Sequence, residues 1–371
     1  MFRRTLLKGL VGAGAVIPGA ARADLVTRAA PLRRIAVEEG FSIPELVTAV
    51  RDYMVTHSDE PGYAGVRAAG YNPRRLEPAW PQQLVDLDSR RIADMDSAGI
   101  DAALLLVGAP GVQMFDAVQA GELARLINDR AAEAMTRHPQ RLFALAAVAP
   151  QDPQAAAQEF ERAVRTLGMS GAVINSHTKG TYLDETRYWP IFEAAVALDR
   201  PVYIHPREPS PEMIGPYLNP AMVAGALWGY AAETGLHAVR LIFSGVFDQF
   251  PTLQIVLGHG GEALPYFMDR LDVRYREEGV AARAVLKKKP SDYIRENFHV
   301  TSSGMNWAPA IEFCQRVLGT ERVLFAADYP FEDAAQAVRA AEAAEMTPSV
   351  RAQFFQTNAE RLFRIPSLVT A

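Results

Sequence analysis

The chain has 371 residues, 49% hydrophobic and 22% charged, with a formal net charge of -5. These are ordinary globular values, and the length suits one barrel with insertions or two smaller domains. The acidic balance, with no basic run longer than Lys287-Lys288-Lys289, argues against a nucleic-acid partner.

The first residues read as an export signal. Arg3-Arg4-Thr5-Leu6-Leu7-Lys8 has the form of a twin-arginine motif, and a weakly apolar, Gly- and Ala-rich stretch follows from Gly9 to Ala20. Ala21-Arg22-Ala23 then offers an A-x-A cleavage site. Residues 1–23 are expected to be a twin-arginine signal peptide, and 24–371 a periplasmic mature protein. The apolar stretch is too short to span a bilayer, so no membrane span is expected. The single cysteine, Cys314, excludes an internal disulfide and reads as a buried thiol on an amphipathic helix.

Downstream, short apolar runs alternate with helical patterns. Strands are predicted at Ile35–Glu38, Ala102–Val107, Phe143–Ala149, Gly171–Ser176, Pro201–His205, Leu253–His259, Phe298–Ser303 and Val323–Asp328. Helices are predicted at Arg90–Ala98, Gly121–Arg137, Pro153–Leu167, Trp189–Leu198 and Pro220–Ala238, with a C-terminal one at Pro348–Phe363. Such alternation implies a parallel sheet, and eight units imply an α/β fold closed as a (β/α)8 TIM barrel. The Pro- and Gly-rich stretch at about 41–88 reads as an insertion covering the barrel mouth, and 207–220 as a second mouth loop.

Four candidate metal-ligand residues fall at predicted strand tips: Glu38, His205, His259 and Asp328. In this fold all strand ends converge on one face, so residues distant in sequence meet around one point. His and carboxylate side chains suit a catalytic divalent metal. Glu38 and Glu39 face opposite ways, so only one of them can enter the barrel. The glycines around His259 allow close approach, and His259 can bind metal, exchange a proton or contact substrate. Glu262 stands where it can orient His259, and His177, at another strand tip, can touch substrate. Taken singly, Glu38 also fits a surface carboxylate, His205 a core histidine and Asp328 a helix cap.

Several blocks carry a family resemblance: Arg-Ile-Ala-Val-Glu-Glu at 34–39, Ile-Asn-Ser-His-Thr at 174–178, Tyr-Ile-His-Pro at 203–206, Gly-His-Gly-Gly-Glu-Ala-Leu-Pro-Tyr at 258–266 and Phe-Phe-Gln-Thr-Asn-Ala-Glu at 354–360. In this order they resemble the amidohydrolase superfamily, in its branch of nonoxidative aromatic acid decarboxylases. The resemblance implies one divalent metal ion, Mn²⁺ or Zn²⁺, held by Glu38, His205 and Asp328. His259 would lie beside the ion and contact substrate, and Arg270 would hold the substrate carboxylate. A second arginine from the mouth insertion is implied, with Arg74 or Arg75 at the right spacing. Asp328 would supply the proton. A homo-oligomer, dimer or tetramer, is implied as well.

Two positions depart from the pattern. Gly40 stands where many relatives have a metal-binding histidine, and Phe331 where the 5-carboxyvanillate type has a tyrosine. The reaction class expected is decarboxylation of an ortho-hydroxylated aromatic carboxylate. The alternative is a hydrolase or hydratase in which the same metal site activates water.

Overall fold

The computed structural model describes residues 32–57, 60–61, 79–278 and 286–367. The predicted signal at 1–23 and both Arg74 and Arg75 lie outside these residues. Strand β1 (Ile35–Phe41) pairs in parallel with β2 (Ala102–Val107), and β2 with β3 (Leu142–Ala144). A second parallel run follows in chain order: β4 (Ala146–Ala147), β5 (Ala172–Asn175), β6 (Val202–His205), β7 (Ile255–Leu257), β8 (Phe298–Thr301) and β9 (Val323–Leu324). Only Leu145 separates β3 from β4, and its N–H donates to Leu105 O at 2.9 Å, so the two are halves of one barrel strand. The ring closes where Val37 N–H donates to Phe325 O at 3.1 Å and Gly40 N–H donates to Tyr329 O at 2.7 Å. The architecture is a (β/α)8 barrel.

Alternation along the strands builds two apolar layers. Ile35, Val37, Leu104, Leu106, Leu145, Val173, Tyr203, Val256 and Leu324 fill the barrel interior. Ala36, Ala103, Leu105, Ile174, Ile204, Ile255 and Leu257 face outward against the helices. Both sets are buried, so the strands read as continuous apolar runs. Each fully buried Leu or Ile contributes roughly 1.5–3 kcal/mol of transfer free energy.

Three predicted elements are broken, each for a local reason. The third predicted strand is interrupted at Leu145, and past it a side chain takes the place of the β2 neighbour. Asn128 Nδ2 donates to Ala147 O at 2.9 Å and Ala147 N–H donates to Asn128 Oδ1 at 2.8 Å, an amide standing in for a neighbouring strand. The helix predicted from Pro220 begins as a 3-10 turn at Ala221–Ala224, and the regular helix runs Gly229–Ser244. Gly229 marks the break: a Cβ there would sit 2.2 Å from Ala224 O. The C-terminal helix is three pieces, Pro348–Ala352, a π-helical turn at Gln353–Thr357, and Asn358–Phe363. The π turn brings Phe354 O to the Phe325 N–H at 3.1 Å and packs Phe355 5.0 Å from the Phe325 ring.

Within the predicted insertion, the helix Pro44–Thr56 packs Leu46, Val50 and Met54 into the core, and a short helix, Ala79–Val85, follows. Cys314 is buried on the helix Ala308–Leu318, as its pattern implied.

Candidate active site

The site begins with an irregularity in β1. Ala36 pairs with Ala103, yet Glu39 pairs with Leu105, so β1 carries one extra residue between them. Such a bulge breaks the two-residue alternation. Val37 and Glu38 therefore both face the barrel axis. Glu38 is fully buried, and its Oε2 accepts hydrogen bonds from Thr301 Oγ1 at 2.7 Å and from Ser303 Oγ. Its Oε1 is buried with no partner among the described residues. Glu39 turns to the seam, where Ala327 N–H donates to its Oε1 at 2.9 Å.

His259 is placed by a left-handed turn. His259, Gly260, Gly261, Glu262 and Ala263 all have positive φ, from 49° to 79°. Glycine adopts this region freely, whereas each L-residue there costs roughly 1–2 kcal/mol. The turn stacks residue 259 over residue 262, and His259 Nδ1 meets Glu262 Oε1 at 2.8 Å. With Nδ1–H donated to Glu262, Nε2 faces Asp328 Oδ2 at 3.6 Å. Strain of this kind collects at functional sites. Ser303 Oγ accepts from the His259 N–H at 3.2 Å, so one β8 tip holds both Glu38 and the His259 turn.

Asp328 also has positive φ, 62°, and its carboxylate lies toward His259. The predicted strand through Asp328 stops at Leu324, and past it the Ala327 N–H goes to the Glu39 side chain instead of a neighbouring strand. His205 ends β6, buried, with Nδ1 unpartnered among the described residues.

The electrostatics follow from burial. Loss of water lowers the His205 pKa to about 4, against the pull of Glu38, so the imidazole is neutral and keeps a lone pair for a cation. Burial also acts to lower the pKa of His259, but Glu262, Glu38, the nearby Asp328 carboxylate and the hydrogen bond to Glu262 outweigh it and hold the pKa well above the ordinary value. Burial raises the Asp328 carboxyl to about 6, against hydrogen bonding to His259.

These residues fit a divalent cation. A buried carboxylate oxygen and a buried imidazole nitrogen without partners are the kind of unsatisfied groups that an ion resolves. Among the described residues no three ligand-type side chains are already gathered around one point, so the ligands have to draw together about the ion. Thr301 and Ser303 hold Glu38 in place for that role. Replacing both with Ala is expected to weaken Mn²⁺ affinity about 10–100-fold at unchanged stoichiometry, as read by metal titration. Unchanged affinity would remove them from the site.

His205, His259 and Asp328 line one end of a cavity of about 590 Å³. Its remaining walls are mostly apolar, with Phe41, Leu46, Val50, Met222 and Phe331 among them. Gly40 leaves room for this wall: a Cβ there would lie 3.1 Å from the Phe331 ring. Glu208 and Tyr230 add polar groups. Tyr230 OH donates to Glu208 Oε1 at 3.2 Å, while Oε2 is buried with no partner among the described residues. Sequence reasoning missed Glu208, Thr301 and Ser303. The only signal for Glu208 was its place three residues past His205.

Two predicted substrate contacts lie elsewhere. His177 is buried outside the cavity lining, and both its nitrogens are taken: Gly180 N–H donates to Nδ1 at 3.2 Å, and Nε2–H donates to Glu208 O at 3.1 Å. Burial and Arg207 push its pKa down to about 2, so it stays neutral and pins two loops together. Arg270 is exposed on the helix Leu264–Glu278 and does not line its own chain's cavity. It is the seventh residue of that helix, which begins only after the His259 turn.

The model of the Amidohydrolase family matches residues 51–365. The chain belongs to that family. This amidohydrolase is similar to γ-resorcylate decarboxylase of Rhizobium radiobacter, at 36% identity over 339 residues, 90% of this chain and 98% of the relative. Among solved structures, 5-carboxyvanillate decarboxylase of Sphingomonas paucimobilis superposes with a TM-score of 0.87 at 42% identity, covering 90% of this chain and all of that one. The 5-carboxyvanillate decarboxylase of Novosphingobium aromaticivorans, complexed with manganese and 4-hydroxy-3-methoxy-5-nitrobenzoic acid, gives 0.86 at 42% identity, covering 90% of this amidohydrolase and 96% of its own chain.

Proposed function

We propose that this amidohydrolase is a metal-dependent, nonoxidative decarboxylase of an ortho-hydroxylated aromatic carboxylic acid. The observation that carries the reading is that His205, His259 and Asp328 line the polar end of an otherwise apolar cavity, with buried Glu38, its Oε1 unpartnered among the described residues, near enough to act on the charge of all three. The relatives' named substrates, hydroxylated aromatic acids, support it. Glu38, His205 and Asp328 would hold one Mn²⁺ or Zn²⁺. Such an ion supplies Lewis acidity that orients the phenolate and carboxylate oxygens and spreads their charge.

The rest falls to the chain. Phe41, Val50 and Phe331 pack on the ring and exclude water. Protonated Asp328 delivers its proton to the ring carbon that bears the carboxylate, making that carbon tetrahedral. The bond to the carboxylate then breaks, CO₂ leaves, and the electron pair returns to the ring. His259, kept cationic by Glu262, stands beside the developing charge. Glu208 offers a hydrogen bond to a further polar ring substituent. Phe331, in place of a tyrosine, offers no hydroxyl there, which favours a substrate less polar than 5-carboxyvanillate on that side. The Mn²⁺-loaded protein is expected to release one CO₂ per hydroxybenzoate consumed. A hydrated or hydrolysed product with no CO₂ would sink the reading and favour a hydratase or hydrolase.

Arg270 can serve a substrate carboxylate only from a second copy, because it lies outside its own cavity. It shares its helix with Tyr266 and Phe267, which are 76% and 46% exposed. Apolar exposure of this kind marks a contact surface. We therefore propose a homo-oligomer in which Arg270 enters the neighbour's cavity. Arg270→Ala and Asp328→Asn proteins, each inactive alone, should regain activity when mixed into one oligomer. A fully active Arg270→Ala monomer would refute this.

We also propose export, on the strength of Arg3-Arg4 and Ala21-Arg22-Ala23. Cell fractionation should find the mature chain, starting at Asp24, in the periplasm; an intact N-terminus in the cytosol would exclude export. No helix among the described residues is long and apolar enough to cross a membrane.

A further inference from the structure

The opposite end of the barrel holds a second pocket, of about 330 Å³. It lies where four neighbouring strands begin: Pro201 precedes β6, Gln254 precedes β7, His299 is the second residue of β8, and Arg322 precedes β9. The catalytic cavity is built at the other ends of the same strands. The two pockets have no lining residue in common.

The lining is basic beyond what its acids balance. It carries Arg200, Arg322, Arg361 and Arg364 against Asp199 and Glu321. Asp199 is already paired with Arg364. Among the described residues the other three guanidiniums hydrogen-bond only to neutral groups. Arg200 Nη1 donates to Asp199 O at 3.0 Å, and Arg361 Nη2 donates to Glu321 O at 2.9 Å and to Asn358 Oδ1 at 3.3 Å. Arg322 Nη1 donates to Gln254 Oε1 at 2.8 Å and to His299 Nε2 at 2.9 Å.

His299 Nε2 lies 2.9 Å from Arg322 Nη1 and 3.2 Å from Gln254 Oε1. His299 is 4% exposed, and its Nδ1 has no partner among the described residues. The Nε atoms of Arg200 and Arg322 are likewise buried and unpartnered. The pocket thus gathers unsatisfied N–H donors on a cluster of like charges. Burial is the main cost to the charge on Arg322, where Glu321 and Glu296 work against burial and Arg361 adds to it, and on Arg200, where Arg364 adds to it and Asp199 works against it. An anion in the pocket would satisfy these donors and offset the surplus of positive charge. Guanidinium forks match the geometry of phosphate and carboxylate oxygens.

We propose that this pocket binds a small multivalent oxyanion, a phosphate or a polycarboxylate, at the end of the barrel remote from the chemistry. The proposal is independent of the decarboxylase reading.

The test is calorimetric titration of the full chain at low ionic strength, with inorganic phosphate in one arm and citrate in the other. Saturable binding of at least one anion is expected, and the tighter arm identifies the ligand chemistry. Binding should persist in His205→Ala, which disables the catalytic end. It should weaken about tenfold or more in Arg322→Gln and in Arg361→Gln. Arg361 is exposed, so its variant keeps the test valid if Arg322→Gln fails to fold. Loss in His205→Ala with retention in Arg361→Gln would assign the anion to the catalytic cavity and overturn the proposal. Absence of saturable binding by either anion would overturn it as well.

Discussion

Glu38→Gln protein is expected to lose its metal ion and at least about 10³-fold in kcat/KM, the several kcal/mol that a Lewis acid contributes to such a reaction. Gln keeps the side chain's size and keeps an oxygen for Thr301 and Ser303 to donate to, so the barrel should fold unchanged. The loss falls on Oε1, the buried oxygen that no described residue satisfies. Stability should move the other way. Without metal, the native protein holds a desolvated carboxylate with one oxygen unpaired, which is costly, whereas an amide there is neutral. The metal-free variant should therefore melt higher than metal-free wild type, while metal-loaded wild type melts highest of the three. Elemental analysis and calorimetry on the same preparations check both parts. A variant that retains one ion per chain and full activity would remove Glu38 from the ligand set.

Asp328→Asn should lower CO₂ release by about 10²–10⁴-fold, the range for losing a positioned proton donor. An amide of equal size keeps the turn at φ 62° and an oxygen for the ion, but has no proton of suitable acidity to give. The assay belongs at saturating Mn²⁺ with metal content measured alongside, so that loss of chemistry is separated from loss of the ion. Wild-type turnover by a fully loaded Asp328→Asn protein would exclude the proton role and shift attention to His259, 3.6 Å away.

Much of the frame was legible in the residues. Eight short apolar runs alternating with helical patterns allow few arrangements other than a parallel barrel, because each strand needs cover on both faces. The chemistry-bearing types at the ends of those runs then had to share one face, whatever the loops between them did. His205, His259 and Asp328 line the cavity for that reason. Even the His259 turn left a trace, since Gly260 and Gly261 are what a left-handed backbone requires.

Other features were illegible because they depend on register and distance. Alternation said that only one of Glu38 and Glu39 can face the axis, but the choice rests on a bulge, a property of the β1–β2 pairing. Thr301 and Ser303 hold a carboxylate some 260 positions earlier in the chain, a contact that strand closure alone creates. His177 matched its neighbours in the motif, yet the fold turned its ring into loop contacts with Gly180 and Glu208. Arg270 matched as well, and its helix carried it out of the chain's own site. The sequence by itself determined the strand count, the barrel and the residue types at its mouth, because periodicity and composition are local. Only the tertiary structure decided which of those residues meet, because meeting depends on pairing register, turn handedness and helix direction.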